Sequence, residues 1–164
     1  MKYLILLTVI SISGRALSQE LTEKDLYQLV AKWEGTLTYL NYGDDKTQVE
    51  LKTEMDALWS GGDVQFKFRY TEPNGEIVEG KDKVSLRKKN GKSIINKDWT
   101  VSEFQKVDNG WRLLMETTGK DNGKKSSIRK EITLAGSTLQ IKKLVKYNGT
   151  DNYFQRHIYQ FTKR

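Results

Sequence analysis

The run Val64-Gln65-Phe66-Lys67-Phe68-Arg69-Tyr70 alternates apolar and polar side chains without a break. Successive side chains of an extended strand point to opposite faces, so this segment reads as a strand with one buried and one wet face. The same period of two extends in both directions. Val49, Leu51, Thr53 and Met55 alternate with Glu50, Lys52 and Glu54. Leu139, Ile141, Lys143, Val145 and Tyr147 form a further set, and Ile128, Ile132 and Leu134 share a face with Lys130. Turn residues punctuate these runs at Gly43-Asp44-Asp45, Ser60-Gly61-Gly62-Asp63, Pro73-Asn74-Gly75, Asn90-Gly91, Asp108-Asn109-Gly110, Asp121-Asn122-Gly123, Ala135-Gly136-Ser137 and Asn148-Gly149-Thr150. Asn-Gly pairs supply the positive φ angles of tight hairpins. The count predicts nine or ten antiparallel strands. Glu76 to Lys97 alternates poorly, so a bulge or irregular segment is expected there. An open meander of that length leaves two unpaired edges, which closure removes. The predicted fold class is therefore all-β: an up-and-down barrel of about ten strands with a short N-terminal helix, preferred to a two-sheet sandwich.

The helix is predicted over about Glu23–Lys32. Thr22 and Asp25 have the spacing of a capping box, and Leu21 and Leu26 that of a hydrophobic staple. Leu26, Leu29, Val30 and Trp33 then recur on one helical face, which suits a lid over one end of a β-structure. Before it, Lys2 followed by the apolar run Tyr3–Ile12 and by Ala16-Leu17-Ser18 has the layout of a secretory signal peptide. Residues 1–18 are read as that leader and residues 19–164 as one domain, periplasmic or secreted and not membrane-spanning after cleavage. The chain has no cysteine, so neither a disulfide nor a cysteine-linked lipid anchor is available.

Charge is unevenly spread. Residues 19–80 carry a net charge of −7 and residues 81–164 a net charge of +12. A field of that kind favours anionic ligands or surfaces on the basic side. Nucleic acid is not the expected partner, because an exported protein leaves it behind; an anionic envelope surface is the alternative partner.

The chemistry-bearing residues are few. His157 is the single histidine, and neither a nucleophile elbow nor a phosphate-cradling glycine loop is present. The protein is read as a non-enzyme with no cofactor and no metal site, Asp44 and Asp45 being turn residues. If the apolar faces line a barrel, strict alternation turns Lys130, Lys143, His157 and Tyr159 inward among Tyr39, Phe66, Phe68, Trp99 and Met115. Those nine residues are the candidate ligand-binding set, the first four for polar contacts and the last five for the apolar wall. An anionic head group would gain charge-assisted hydrogen bonds there and its tail apolar contact. On the same alternation Glu103 points inward and Arg156 outward, and Lys130 has Glu103 as its available partner.

Trp33-Glu34-Gly35-Thr36-Leu37-Thr38-Tyr39, Gly119-Lys120-Asp121-Asn122 and Arg156-His157-Ile158-Tyr159-Gln160-Phe161 resemble the calycin superfamily: lipocalins, fatty-acid-binding proteins, nitrobindin-like haem barrels and small lipocalin-like exported proteins. The resemblance implies a barrel with an internal cavity. The glycine here follows the tryptophan, whereas lipocalins place it before. Fatty-acid-binding proteins hold a carboxylate with Arg-x-Tyr near the chain end, where this chain has His157-x-Tyr159. The nitrobindin-like branch implies a histidine haem ligand, for which His157 is the candidate. The expected function is binding of a small amphipathic anionic ligand. Two alternatives stand beside it: a filled barrel acting as an envelope interaction module through Lys81, Lys83, Arg87, Lys88, Lys89 and Lys92, and a haem-binding barrel.

Overall fold

Hairpin follows hairpin along the chain in a computed structural model that describes residues 19–164. The leader expected at residues 1–18 lies outside the described residues. Ten strands run in order: β1 (Ala31–Leu40), β2 (Gln48–Ser60), β3 (Asp63–Thr71), β4 (Ile77–Lys89), β5 (Lys92–Ile95), β6 (Trp99–Val107), β7 (Gly110–Asp121), β8 (Lys124–Ala135), β9 (Thr138–Tyr147) and β10 (Phe154–Lys163). Each pairs antiparallel with the next, and β1 pairs with β10 to close the barrel. The alternating runs are the reason: Val64, Phe66 and Phe68 are buried while Gln65, Lys67 and Arg69 are exposed. The hairpins turn where expected. At the β7–β8 turn Asn122 and Gly123 take φ of 48° and 76°, the left-handed pair that matches the twist of a two-residue connection.

The seam between β1 and β10 is unusually close. A Cβ on Gly35 would stand 1.9 Å from the Gln160 carbonyl oxygen, so only glycine fits that position. This gives Trp33-Glu34-Gly35 a physical meaning: the tryptophan fills the barrel end and the glycine admits the neighbouring backbone.

One end of the barrel is closed by the helix α1 (Glu23–Tyr27). The capping box between Thr22 and Asp25 forms, and the stapling pair Leu21 and Leu26 is buried. The helix stops five residues earlier than predicted. Trp33, read as part of its stripe, lies instead on β1, and its indole Nε1 donates to the Leu29 carbonyl at 2.9 Å. Trp111 on β7 likewise donates to the Asp25 carbonyl at 3.0 Å. Two indoles from the barrel thus satisfy carbonyls of the segment that plugs it, while Leu26 and Leu29 complete the apolar core beneath.

Two bulges break the strict alternation. Between Val101 and Glu103 the β6–β7 register slips, and Glu103 faces solvent, contrary to expectation. Between Gln155 and His157 the β10–β9 register slips, and Arg156, expected outside, is fully buried. A bulge adds one residue to one strand, so every side chain beyond it changes face relative to a simple count.

The poorly alternating stretch from Glu76 to Lys97 is also where the wall thins. Strand β5 pairs with β4 only from Leu86 to Lys89, and β6 pairs with β7 only as far as Glu116. Asn96 extends the bonding with its backbone and side chain, meeting Ser85 and the Lys83 carbonyl. Beyond it, among the described residues, no strand lies between Ile77–Asp82 of β4 and Thr117–Asp121 of β7. Among the described residues no helix is long and apolar enough to cross a membrane.

Candidate functional site

A cavity of about 250 Å³ lies inside the barrel beside that thinned wall. Phe66, Phe68 and Tyr70 of β3 line it together with Tyr159 of β10, which stacks on Phe68, and Ile132, Ile141 and His157 complete the lining. Gly80, Lys81 and Asp82 form its rim on β4, and Lys130 of β8 reaches in. Five of the nine sequence-based candidates therefore meet in one place: Phe66, Phe68, Lys130, His157 and Tyr159.

The register explains how distant parts of the chain converge. Val101, Met115, Lys130, Lys143, His157, Tyr39 and Val49 are successive cross-strand partners, a single row around the inside of the barrel. The other four candidates share this inner surface without lining the cavity. Met115 is packed into the core at 1% exposure. Trp99 lies under Lys130, whose amine stands 5.0 Å from the ring centroid. Tyr39 sits in register with His157. Lys143 does not line the cavity, and its amine is held by Asp121 Oδ1 at 2.7 Å.

That last pair belongs to a polar plug at the end opposite the helix. Arg156 Nε donates to Asp121 Oδ2 at 2.9 Å, its Nη1 to Asp45 Oδ1 at 2.8 Å and its Nη2 to the Tyr147 hydroxyl at 2.6 Å. Tyr147 in turn donates to Asp45 Oδ2 at 3.2 Å. Asn122 ties the plug to the β1–β2 loop through the Tyr42 carbonyl at 2.9 Å. The guanidinium also lies 4.6 Å from the Tyr42 ring centroid. Buried charges persist only when paired and hydrogen-bonded, and these are both. The Arg156 hydrogen bond holds the Asp45 carboxyl below its ordinary range. Asp45, read as a plain turn residue, is thus part of the barrel's closure.

Lys130 is the inward cation held least firmly. It pairs with Asp82 at 3.5 Å rather than with Glu103, and Asp82 is 48% exposed at the rim of the opening. The aromatic side is ordered in layers: the rings of Phe68 and Tyr70 are 9° from parallel, and those of Tyr159 and Phe161 16° from parallel. Tyr70 and Tyr159 share a hydrogen bond at 3.0 Å. Burial pushes both phenols upward, so they remain neutral donors at physiological pH. Burial, reinforced by Lys143 and Lys130, pushes the His157 imidazole down to about 3. His157 is therefore a neutral ring lining a mostly aromatic cavity, able to donate from one nitrogen and accept at the other. Among the described residues no group of three or more histidine, aspartate and glutamate side chains is arranged to hold a metal ion.

Asp82, Asp121, Arg156 and Tyr70 were not singled out from the sequence. Tyr70 had the signal, since it ends the alternating run that carries Phe66 and Phe68. Arg156 was hidden because it is itself the inserted residue of the β10 bulge, and Asp82 by the irregular pattern of β4.

The geometry defines a class: a closed ten-strand antiparallel barrel with an internal, partly cationic cavity. No protein-family model matches the chain, and no curated protein matches it. Solved structures share the fold, and two serve as examples. One is Rv2717c from M. tuberculosis, at TM-score 0.60 and 11% identity, covering 86% of this chain and 96% of that one. The other is the S-type phycobiliprotein lyase CPES from Guillardia theta, at TM-score 0.60 and 10% identity, covering 88% of this chain and 93% of that one. At such identities the likeness is one of fold.

Proposed function

We propose that the protein is a non-catalytic, exported binding protein that holds a small amphipathic anion inside its barrel. The observation that carries this reading is the cavity itself, where a lysine, a neutral histidine and a tyrosine hydroxyl face apolar and aromatic walls. A few placed polar groups in a largely apolar recess are the usual composition of a small-molecule site. Lys130 serves the charge, His157 and Tyr159 offer hydrogen bonds, and Phe66 and Phe68 cover the apolar part.

The haem reading has less support. A cavity of about 250 Å³ is small for a porphyrin, and His157 lies in register with the cation Lys143. The envelope-module reading is also weaker, because the basic segment is partly neutralised. Lys83 and Arg87 both pair with Asp63, and Lys88 pairs with Glu20.

Native mass spectrometry of the protein purified from its source compartment tests the proposal. A co-purifying small molecule, lost in Lys130→Met, is the expected result. An apo mass, together with no displacement of a fluorescent hydrophobic dye by fatty acids, haem or sterols, would overturn it.

A further inference from the structure

Three cations and three carboxylates face the inside of the barrel or its plug: Lys130, Lys143 and Arg156 against Asp82, Asp121 and Asp45. Four of the six are locked together. Arg156 and Lys143 share Asp121 at 2.7 Å, and Arg156 holds Asp45 at 2.8 Å. The other two, Lys130 and Asp82, form a separate pair, of which Asp82 is the outer member. It stands on β4, paired with β3 but beyond the reach of β5, and its side chain is half exposed. One of its oxygens accepts from the Lys83 backbone N–H at 2.8 Å, which fixes the carboxylate at the rim. The other faces Lys130 at 3.5 Å, longer than a strong charge-assisted hydrogen bond. Lys130 itself is mostly buried and its amine rests over Trp99.

We infer that Asp82 is an exchangeable counter-ion: the anionic group of a flat aromatic ligand enters between β4 and β7 and displaces Asp82 from Lys130. This rests on the binding reading above and names the ligand class and the residue that tunes it. The opening places Asp82 on the route to Lys130, so an incoming anion meets the pair from its wet side. Asp82 loses little on release, because water takes the place of the ammonium at a half-exposed carboxylate. Lys130 cannot follow it into water, so it takes the new anion. The aromatic preference comes from the wall: Phe66, Phe68, Tyr70 and Tyr159 line the cavity, and the volume suits one or two fused rings. A carboxylate or a sulfonate would meet the same chemistry.

The test compares naphthalene-2-carboxylate with its neutral isostere, naphthalene-2-carboxamide, by titration calorimetry on the full domain. Asp82→Asn keeps the acceptor for the Lys83 N–H and removes the charge. It should tighten the carboxylate about tenfold and leave the carboxamide unchanged, whereas Lys130→Met should weaken the carboxylate about tenfold. Asp82→Ser, which also removes the charge, should reproduce the first result. If the carboxylate binds the wild-type protein but Asp82→Asn and Asp82→Ser bind it no more tightly, the counter-ion role is wrong and the cavity reading survives. If neither compound binds any form, both fall. Octanoate binding as tightly as the naphthoate would remove the aromatic preference.

Discussion

Acidifying the protein from pH 6.5 to 4.5 should cost it stability through His157 alone. In an unfolded chain the imidazole takes up a proton near pH 6.5. In the folded protein burial and the charges of Lys143 and Lys130 hold it neutral down to about 3. Between those limits the unfolded state binds a proton that the folded state refuses, so acid favours unfolding. The contribution is present in full above pH 6.5 and is lost as the pH falls toward 3, at about 1.4 kcal/mol per unit. Because the unfolded imidazole is half protonated at pH 6.5, the two units remove about 2.3 kcal/mol, a large share of a typical domain's stability. Asp45 acts in the same direction, but its window lies below the ordinary carboxylate range and outside this interval. Urea unfolding followed by circular dichroism at pH 7.0, 5.5 and 4.5, on wild-type protein and His157→Gln, measures the effect. The variant has no group that titrates there, so its stability should be flatter with pH by that amount. Equal slopes in the two proteins would refute the buried, neutral imidazole.

Gly35→Ala should destabilise the barrel by at least about 3 kcal/mol, because the new methyl meets the Gln160 carbonyl oxygen at 1.9 Å and the β1–β10 seam must spread; chemical denaturation checks it, and a change under 1 kcal/mol would sink the close-approach argument. Asp121→Asn leaves Lys143 and Arg156 without their shared carboxylate. The expected loss is about 3–5 kcal/mol in the same assay, with faster hydrogen exchange at the plugged end and little change beneath the helix.

The meander was legible because its two signals, alternation and Asn-Gly turns, are local. Val64 to Tyr70 names its own inner face, and Asn122-Gly123 names its own turn. The apolar and aromatic lining of the site followed from the same parity. What stayed hidden depended on single inserted residues. Nothing in the residue types near Ser102 or Arg156 marks a register slip, yet each slip exchanges a charged side chain between solvent and interior. Pairing was equally opaque. Lys130 has many carboxylates within a plausible reach along the chain, and only the closed topology selects Asp82, on a strand that the missing length of β5 leaves exposed. The helix ended early for a related reason: Trp33 is worth more to the closing barrel as a plug on β1 than as one more position on a helical stripe.

The pairing of β1 with β10 carries a cost in assembly. Trp33 meets Lys163 across the seam, so two pieces of chain separated by almost the whole domain must find each other before any edge is covered. Such long-range pairing is slow, and half-built forms present two bare ladders to other molecules. Until Phe154–Lys163 is available, the earlier hairpins can only wait as an open, sticky sheet. A chain shortened at β10 should therefore fail by clumping rather than by simply melting at a lower temperature.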